Sequence, residues 1–233
     1  MSFKLNPLAL FKGLIGIALL LFFINIVFII IKFRFGHEYV HGLSPMFGFD
    51  DEQNIPTYYS SLLLLGSGGL LAIITLNHKQ TEVPFLEWGM LSLIFLMLGI
   101  DEITCIHEMC TTPTKSLIPT SGFLHFAWVI PYGLFLIVFC VCYLRFLLRL
   151  PKHIMVLFIT SGLLFVMGAM GFEMLGSRQA YLHGGDTIGY AMLYSFEELF
   201  EMIGTSLFAC TLLRYIAGGS GSLSISVERD RAA

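Results

Sequence analysis

An all-α bundle of about six membrane spans, with both termini in the cytoplasm, is the fold that this sequence predicts. Three observations lead there. First, 56% of the 233 residues are hydrophobic and only 12% are charged, about half the charged share of a soluble domain. Second, apolar runs long enough to cross a bilayer recur along the chain. Third, the basic residues segregate. Lys4, Lys12, Lys79, Arg145, Arg149, Lys152, Arg214, Arg229 and Arg231 fall on one side of the alternating loops, and Lys32, Arg34, Lys115 and Arg178 on the other. The richer side is cytoplasmic by the positive-inside rule. The expected place is the cell (inner) membrane, multi-pass. Residues 1–217 read as one bundle and 218–233 as a disordered, Ser/Gly-rich and then charged tail.

The spans follow in order. Span 1 runs over 11–31, behind Lys4 and Lys12. It is too long for a signal-peptide core and lacks a small-residue cleavage site, so it reads as a retained anchor. Span 2 covers 56–76, with Pro56 in its first turn, where a missing N–H does no harm. Span 3 covers 84–109 as one unbroken helix. Span 4 covers 122–148, bent at Pro131. Span 5 covers 153–175 and span 6 covers 188–216. The five cysteines form no zinc-type pair, and Cys105 and Cys110 point apart on one helix.

Span 3 carries the chemistry. It ends in Asp101-Glu102-Ile103-Thr104-Cys105-Ile106-His107-Glu108. Ionisable groups inside a membrane are costly and mark functional sites. On a continuous helix, Asp101, Thr104 and Glu108 share one face. Such a face needs polar partners, and the other spans offer them. Span 4 presents His125, Trp128 and Tyr132. Span 5 presents Glu173 among Gly168, Gly171 and Gly176, small residues that let helices approach closely. Span 6 presents Tyr190, Tyr194, Glu197 and Glu201 as one stripe, with Glu198 to one side. At about 1.5 Å per residue, all these acids and histidines fall in the outer half of the bilayer. The depths of Asp101 and Glu201 agree within about 2 Å, so the two are expected to face each other across one cation. The first outer loop, 36–55, lies on the same side and could cover the cluster.

Packed carboxylates without a lysine or arginine at their depth must hold protons or share a cation. The expected metal-site residues are Asp101, Glu102, His107, Glu108, His125, Glu173, Glu197 and Glu201. Carboxylates with one or two imidazoles suit one or two divalent ions: iron, manganese or zinc. The ligand count matches di-iron bundles, but their Glu-x-x-His spacing is absent. His37-Glu38-x-x-His41 matches the zincin pattern. Gly36 before it and Gly42 and Pro45 after it leave too little room for a helix.

The run Phe49-Asp50-x-Glu52-x-Asn54-Ile55-Pro56-Thr57-x-x-Ser60-Ser61-Leu62-Leu63-Leu64 comes first, then Asp101-Glu102 with Ile106-His107-Glu108. Glu173-Met174-Leu175-Gly176 and Glu197-Glu198-x-x-Glu201-Met202 complete the pattern. Together they resemble a family of uncharacterised bacterial six-span membrane proteins. The resemblance covers most of the chain and implies the same architecture; it adds nothing about substrate. The His37–His41 match is not part of it.

The function expected is a metal-dependent membrane enzyme that oxidises or hydrolyses a lipid-soluble substrate, reached through membrane lipid; a quinone would suit. A proton-coupled or cation transporter using the same acids is the alternative, and a non-catalytic subunit of a membrane complex is a third. No nucleic acid partner is expected. A transporter needs a second polar path to the cytoplasm, and the inner halves of the spans offer almost none.

Overall fold

The chain is described by a computed structural model, which covers residues 6–37 and 39–218. The expected disordered tail, from 219 on, lies outside the described residues. The described residues form helices and no strands. Five helices are long and apolar enough to cross a membrane: Pro7–Phe35 (α1), Ile55–Gln80 (α3), Val129–Arg149 (α7), Lys152–His183 and Ile188–Gly218 (α10). The fourth of these comprises Lys152–Val166 (α8), a π-helical turn at Met167–Phe172 and Glu173–His183 (α9). Leu86–Thr104 (α4) joins the short helices Ile106–Met109 (α5) and Thr111–Leu117 (α6) at a 75° bend, and this broken pair makes up the sixth candidate span. A further short helix, Leu43–Phe47 (α2), lies in the first loop.

Local chemistry sets the helix ends. The Asn6 side chain accepts the N–H groups of Leu8 and Ala9 at the start of α1, the usual role of an N-cap. Gly36 ends that helix at φ +72°, a backbone conformation costly for any residue with a Cβ. Asn54 caps α3 by accepting the N–H and hydroxyl of Thr57. Its amide nitrogen donates to the carbonyls of Pro45, Gly48 and Asp51. One side chain thus starts a span and ties up the loop before it. Asn25, buried in α1, secures the same loop from the other side. It accepts the Phe49 N–H at 3.1 Å and donates to Ser195 of α10 at 2.8 Å.

Small residues bring the helices together. The Ser61 hydroxyl donates to the Gly99 carbonyl at 2.6 Å and the Ser92 hydroxyl to the Gly68 carbonyl at 2.8 Å, stitching α3 to α4. On α10, a Cβ at Gly204 would lie 2.6 Å from the Phe165 backbone nitrogen and 2.9 Å from the Ser161 carbonyl of α8. Helix α10 is the central element, packed against α1, α3, α8, the π-turn and α9. Helix α7 is peripheral, and Leu134, Ile137, Val141 and Leu148 on it are exposed.

Two apolar clusters divide the bundle along its length. Ala18, Leu21, Phe49, Leu63, Leu199 and Met202 pack beneath the 36–54 loop. At the other end, Trp88, Phe146, Phe158 and Phe208 pack with Leu71, Ile74, Leu91, Ile154 and Leu212. The end that carries the loop is called the loop end below.

Two expectations about helix continuity do not hold. Span 3 is not one helix to Met109: it stops at Thr104, and Cys105 takes a left-handed backbone, φ +54°. The cause is Asp101, whose Oδ1 accepts the His107 N–H at 2.8 Å in place of a helical carbonyl. Span 4 does not begin at Gly122. A single tight turn spans Gly122–Leu124, and α7 begins only at Val129. Pro131 therefore sits in the first turn of α7, where its missing N–H costs nothing, and does not bend a span.

Candidate functional site

The break at Cys105 assembles the first part of the site. Asp101 holds His107 twice, through the backbone N–H and through Nδ1 at 3.3 Å from Oδ2. Tyr132 of α7 donates its hydroxyl to the same Oδ2 at 3.1 Å. The imidazole packs edge-on to Trp128, ring centroids 4.7 Å apart. With Nδ1 engaged by a carboxylate, the tautomer and the ring orientation are set and Nε2 is left available. The His107 side chain keeps 21% of its surface accessible.

Trp128 links this group to the next. Its indole N–H donates to Glu173 Oε1 at 2.7 Å. The tryptophan is held in place because Ser177 of α9 pins the preceding segment. The Ser177 hydroxyl accepts the Phe126 N–H and donates to the Gly122 carbonyl. The Glu173 carboxyl lies beside that of Glu197 of α10. Glu173 stands at the end of the π-turn, a feature that recurs at functional sites. Within that turn Gly168 is essential to the approach: a Cβ there would lie 2.7 Å from the Glu197 carbonyl and the Glu201 Cγ. Gly171, expected to do the same, meets only Met167 of its own turn.

The remaining acids form a second group. Glu198 lies in the field of Glu102, Glu52 and Glu173, and Glu201 in that of Glu198, Glu102, Glu173 and Glu52. Glu102, Glu173, Glu197, Glu198 and Glu201 are all partly accessible despite their depth between helices. The Oε2 atom of Glu198 is buried with no hydrogen-bond partner, and so is Ser60 Oγ on α3. Lys32 pairs with Asp186 and also lies in the field of the loop acids Asp50 and Asp51, while Arg149 pairs with Glu87 at the opposite end.

The 36–54 loop supplies what the sequence reading left out. Glu52 accepts a hydrogen bond from the Cys105 thiol and faces Glu108, His107 and Asp50. Asp50 accepts one from the Tyr190 hydroxyl. Both acids keep solvent-exposed edges. The protein packed around them nevertheless pushes both carboxyls above their ordinary range, by desolvation first and by neighbouring carboxylates next. A capping asparagine just after an acidic run was the signal for Glu52. The Glu198–Glu201 spacing of three, which puts both on one side of a helix, was the signal for Glu198.

The expected residues therefore divide. Glu102, His107, Glu173, Glu197 and Glu201 meet at the loop end, and Glu108 lies at its exposed rim. His125 does not join them. It packs on Phe126 and Tyr181, and partial burial together with Lys115 lowers its pKa. The bonds of Asp101 go to His107 and Tyr132 and none goes to Glu201. Among the described residues, no three His, Cys, Asp or Glu side chains gather closely enough to hold a metal ion. The expected metal binding therefore has no support from this arrangement. The zincin match is not helical either: His37 is in extended chain and His41 in a turn at φ +48°, while Glu38 lies outside the described residues.

A family model described as a domain of unknown function, DUF8692, matches residues 14–216. The chain belongs to this family. The match takes in the loop, the broken helix and the glutamates of α10, so the site lies wholly within the family's extent. No curated protein and no solved structure matches the chain.

Proposed function

We propose that this chain is a multi-pass membrane hydrolase whose acid–base centre is His107, oriented by Asp101, and whose substrate is a lipid-soluble ester reached at the outer half of the bilayer. The observation that carries this is the double grip of Asp101 on His107, which leaves Nε2 available beside a set of carboxyl groups. His107 Nε2 takes a proton from water, and the hydroxide so formed attacks the acyl carbon. A protonated carboxyl of the Glu173–Glu197 pair returns a proton to the leaving oxygen, giving acid plus alcohol. Two carboxyls side by side, one of them holding a proton, would make such a donor.

The aromatic cluster at the opposite end supports an enzyme over a transporter. Trp88, Phe146, Phe158 and Phe208 fill the space that an ion would have to cross. Glu87 at that end is engaged by Arg149 at 2.9 Å. The basic residues on the side opposite the loop end support cytoplasmic termini.

One observation favours a second reading. The unpartnered Glu198 Oε2 among like carboxyls suits a metal-dependent enzyme, in which Glu102, Glu198 and Glu201 would hold iron, manganese or zinc and the ion would supply Lewis-acid or redox chemistry.

One experiment separates these readings. Purified protein in proteoliposomes is given a panel of fluorogenic long-chain acyl and phosphoryl esters, with and without a chelator. Turnover that falls at least about 100-fold in His107→Ala, and that resists chelation, is the expected result. Loss of turnover on chelation, restored by one added metal, selects the metal reading. No His107-dependent turnover of any ester overturns the hydrolase.

A further inference from the structure

We infer that the site at the loop end recognises an ammonium group, so that its ligand is an amphiphile with a cationic amine head. The inference rests on the site proposed above but not on hydrolysis. Helix α10 brings Glu198 and Glu201 to Glu102 of α4, and the loop lays Glu52 over them. Residues 86–109, 153–177 and 188–213 contain no lysine or arginine. These stretches therefore provide no counter-charge for the acids they hold; Arg178, five residues past Glu173 on α9, lies over the Phe123 ring, and Lys32 acts on Asp50 and Asp51 of the loop.

A second observation points to a missing partner. Glu198 Oε2 is fully enclosed and bonded to nothing, which is costly unless a donor completes it. Ser60 Oγ is in the same condition, on a residue only 5% exposed. Helices α3 and α10 both run away from the loop end, and Leu63 packs with Leu199 and Met202. Ser60, one turn nearer the loop on the face of Leu63, is thus level with the turn of Glu198. Glu198 Oε2 is a carboxylate acceptor without a donor, and the Ser60 hydroxyl at the same level can donate or accept.

The size of that donor follows from the spread of the acids. No three of them converge as a bare metal ion demands. An ammonium group is larger, has three diverging N–H donors and accepts scattered oxygens. Aromatic faces add to this. Tyr190 and Tyr194 lie 5.4 Å apart at the rim, and Tyr190 is tied to Asp50. Such faces attract organic cations within about 6 Å. The hydrocarbon tail would remain in the bilayer, beside the exposed apolar surface of the helices.

The test uses the full chain in detergent micelles and the fluorescence of Trp128, which touches both His107 and Glu173. Oleylamine and oleyl alcohol are titrated separately, with Trp128→Phe as the control that identifies the signal. Saturable quenching by the amine alone is expected, with affinity about tenfold lower in Glu198→Gln and in Glu52→Gln. Glu52 lies on the exposed loop, so its variant decides the matter if Glu198→Gln does not fold. Equal quenching by the alcohol overturns the inference, as does unchanged amine affinity in the folded variants. Manganese or zinc that binds saturably and excludes the amine also overturns it. Amine binding without any esterase activity would leave this inference standing while the hydrolase reading fell.

Discussion

Replacing Asp101 tests whether one carboxylate both breaks a helix and aims a histidine. In Asp101→Ala the His107 N–H and the Tyr132 hydroxyl lose their acceptor. Each buried group left unpaired costs about 1–3 kcal/mol. Against that, Cys105 is freed from its left-handed backbone, and returning to a helix recovers about 1–2 kcal/mol. Two such losses less that gain leave roughly 0–5 kcal/mol, about 2–3 kcal/mol at the centre. Asp101→Asn keeps one acceptor oxygen for the His107 N–H but presents an amide to Nδ1, so its loss is roughly half as large. For a chain of this size, 1 kcal/mol moves the midpoint by about 2–4 °C. Thermal unfolding in detergent should rank wild type above Asn and Asn above Ala, with Ala down by roughly 4–12 °C at that central loss. A spin-label distance from α4 to α6 should also lengthen in Ala as the 75° bend opens. Equal midpoints with an unchanged distance would refute the reasoning, because the break would then be held by something other than Asp101.

Three further outcomes are expected. Gly204→Val drives a Cβ against the backbone of Phe165 and Ser161 and should cost about 1–3 kcal/mol. Gly162→Ala, which meets nothing within 4 Å, should be neutral or slightly stabilising in the same unfolding measurement. The raised carboxyls of Asp50 and Glu52 mean that the folded loop binds more protons than the unfolded one. Their penalty is absent below ordinary values of 3.8 and 4.5 and grows as pH rises toward the raised values. Loop protection from protease should therefore weaken as pH rises from about 4, and Asp50→Asn with Glu52→Gln should flatten that trend. A cysteine placed at Ser44 should react with an impermeant thiol reagent on intact spheroplasts; labelling only after lysis would reverse the proposed orientation.

What could be read in advance depended on whether the cause was local. The α3 start at Ile55 and the α10 start at Ile188 follow from neighbouring residues: a capping asparagine and Pro56 for one, a Gly-Gly-Asp-Thr turn for the other. The convergence of Glu102, Glu173, Glu197 and Glu201 was also legible, because helical spacing and depth are both arithmetic on the sequence. The break at Cys105 was not. The β-branched Ile103, Thr104 and Ile106 disfavour a helix only slightly, and the interruption comes from Asp101 reaching six residues ahead to His107. His125 was misplaced for a related reason: Ser177, more than fifty positions away, holds that segment out of the helix. Glu52 was missed because a loop has no periodicity to show where its side chains land.

The π-turn at Met167–Phe172 acts as a phase shift. One extra residue is fitted into a turn of an otherwise α-helical span, so everything after it is rotated by about 100° relative to what precedes it. Lys152–Val166 and Glu173–His183 therefore obey two different helical wheels, and a single wheel drawn over the span misplaces one half. Deleting one residue, Ala169 for instance, would let the turn close as an ordinary helix. The span would shorten by only about 1.5 Å and could still cross a bilayer. Glu173 would swing away from Trp128 and Glu197, and Ser177 away from Phe126. A length change too small to trouble the membrane would thus separate the architecture of this protein from its chemistry.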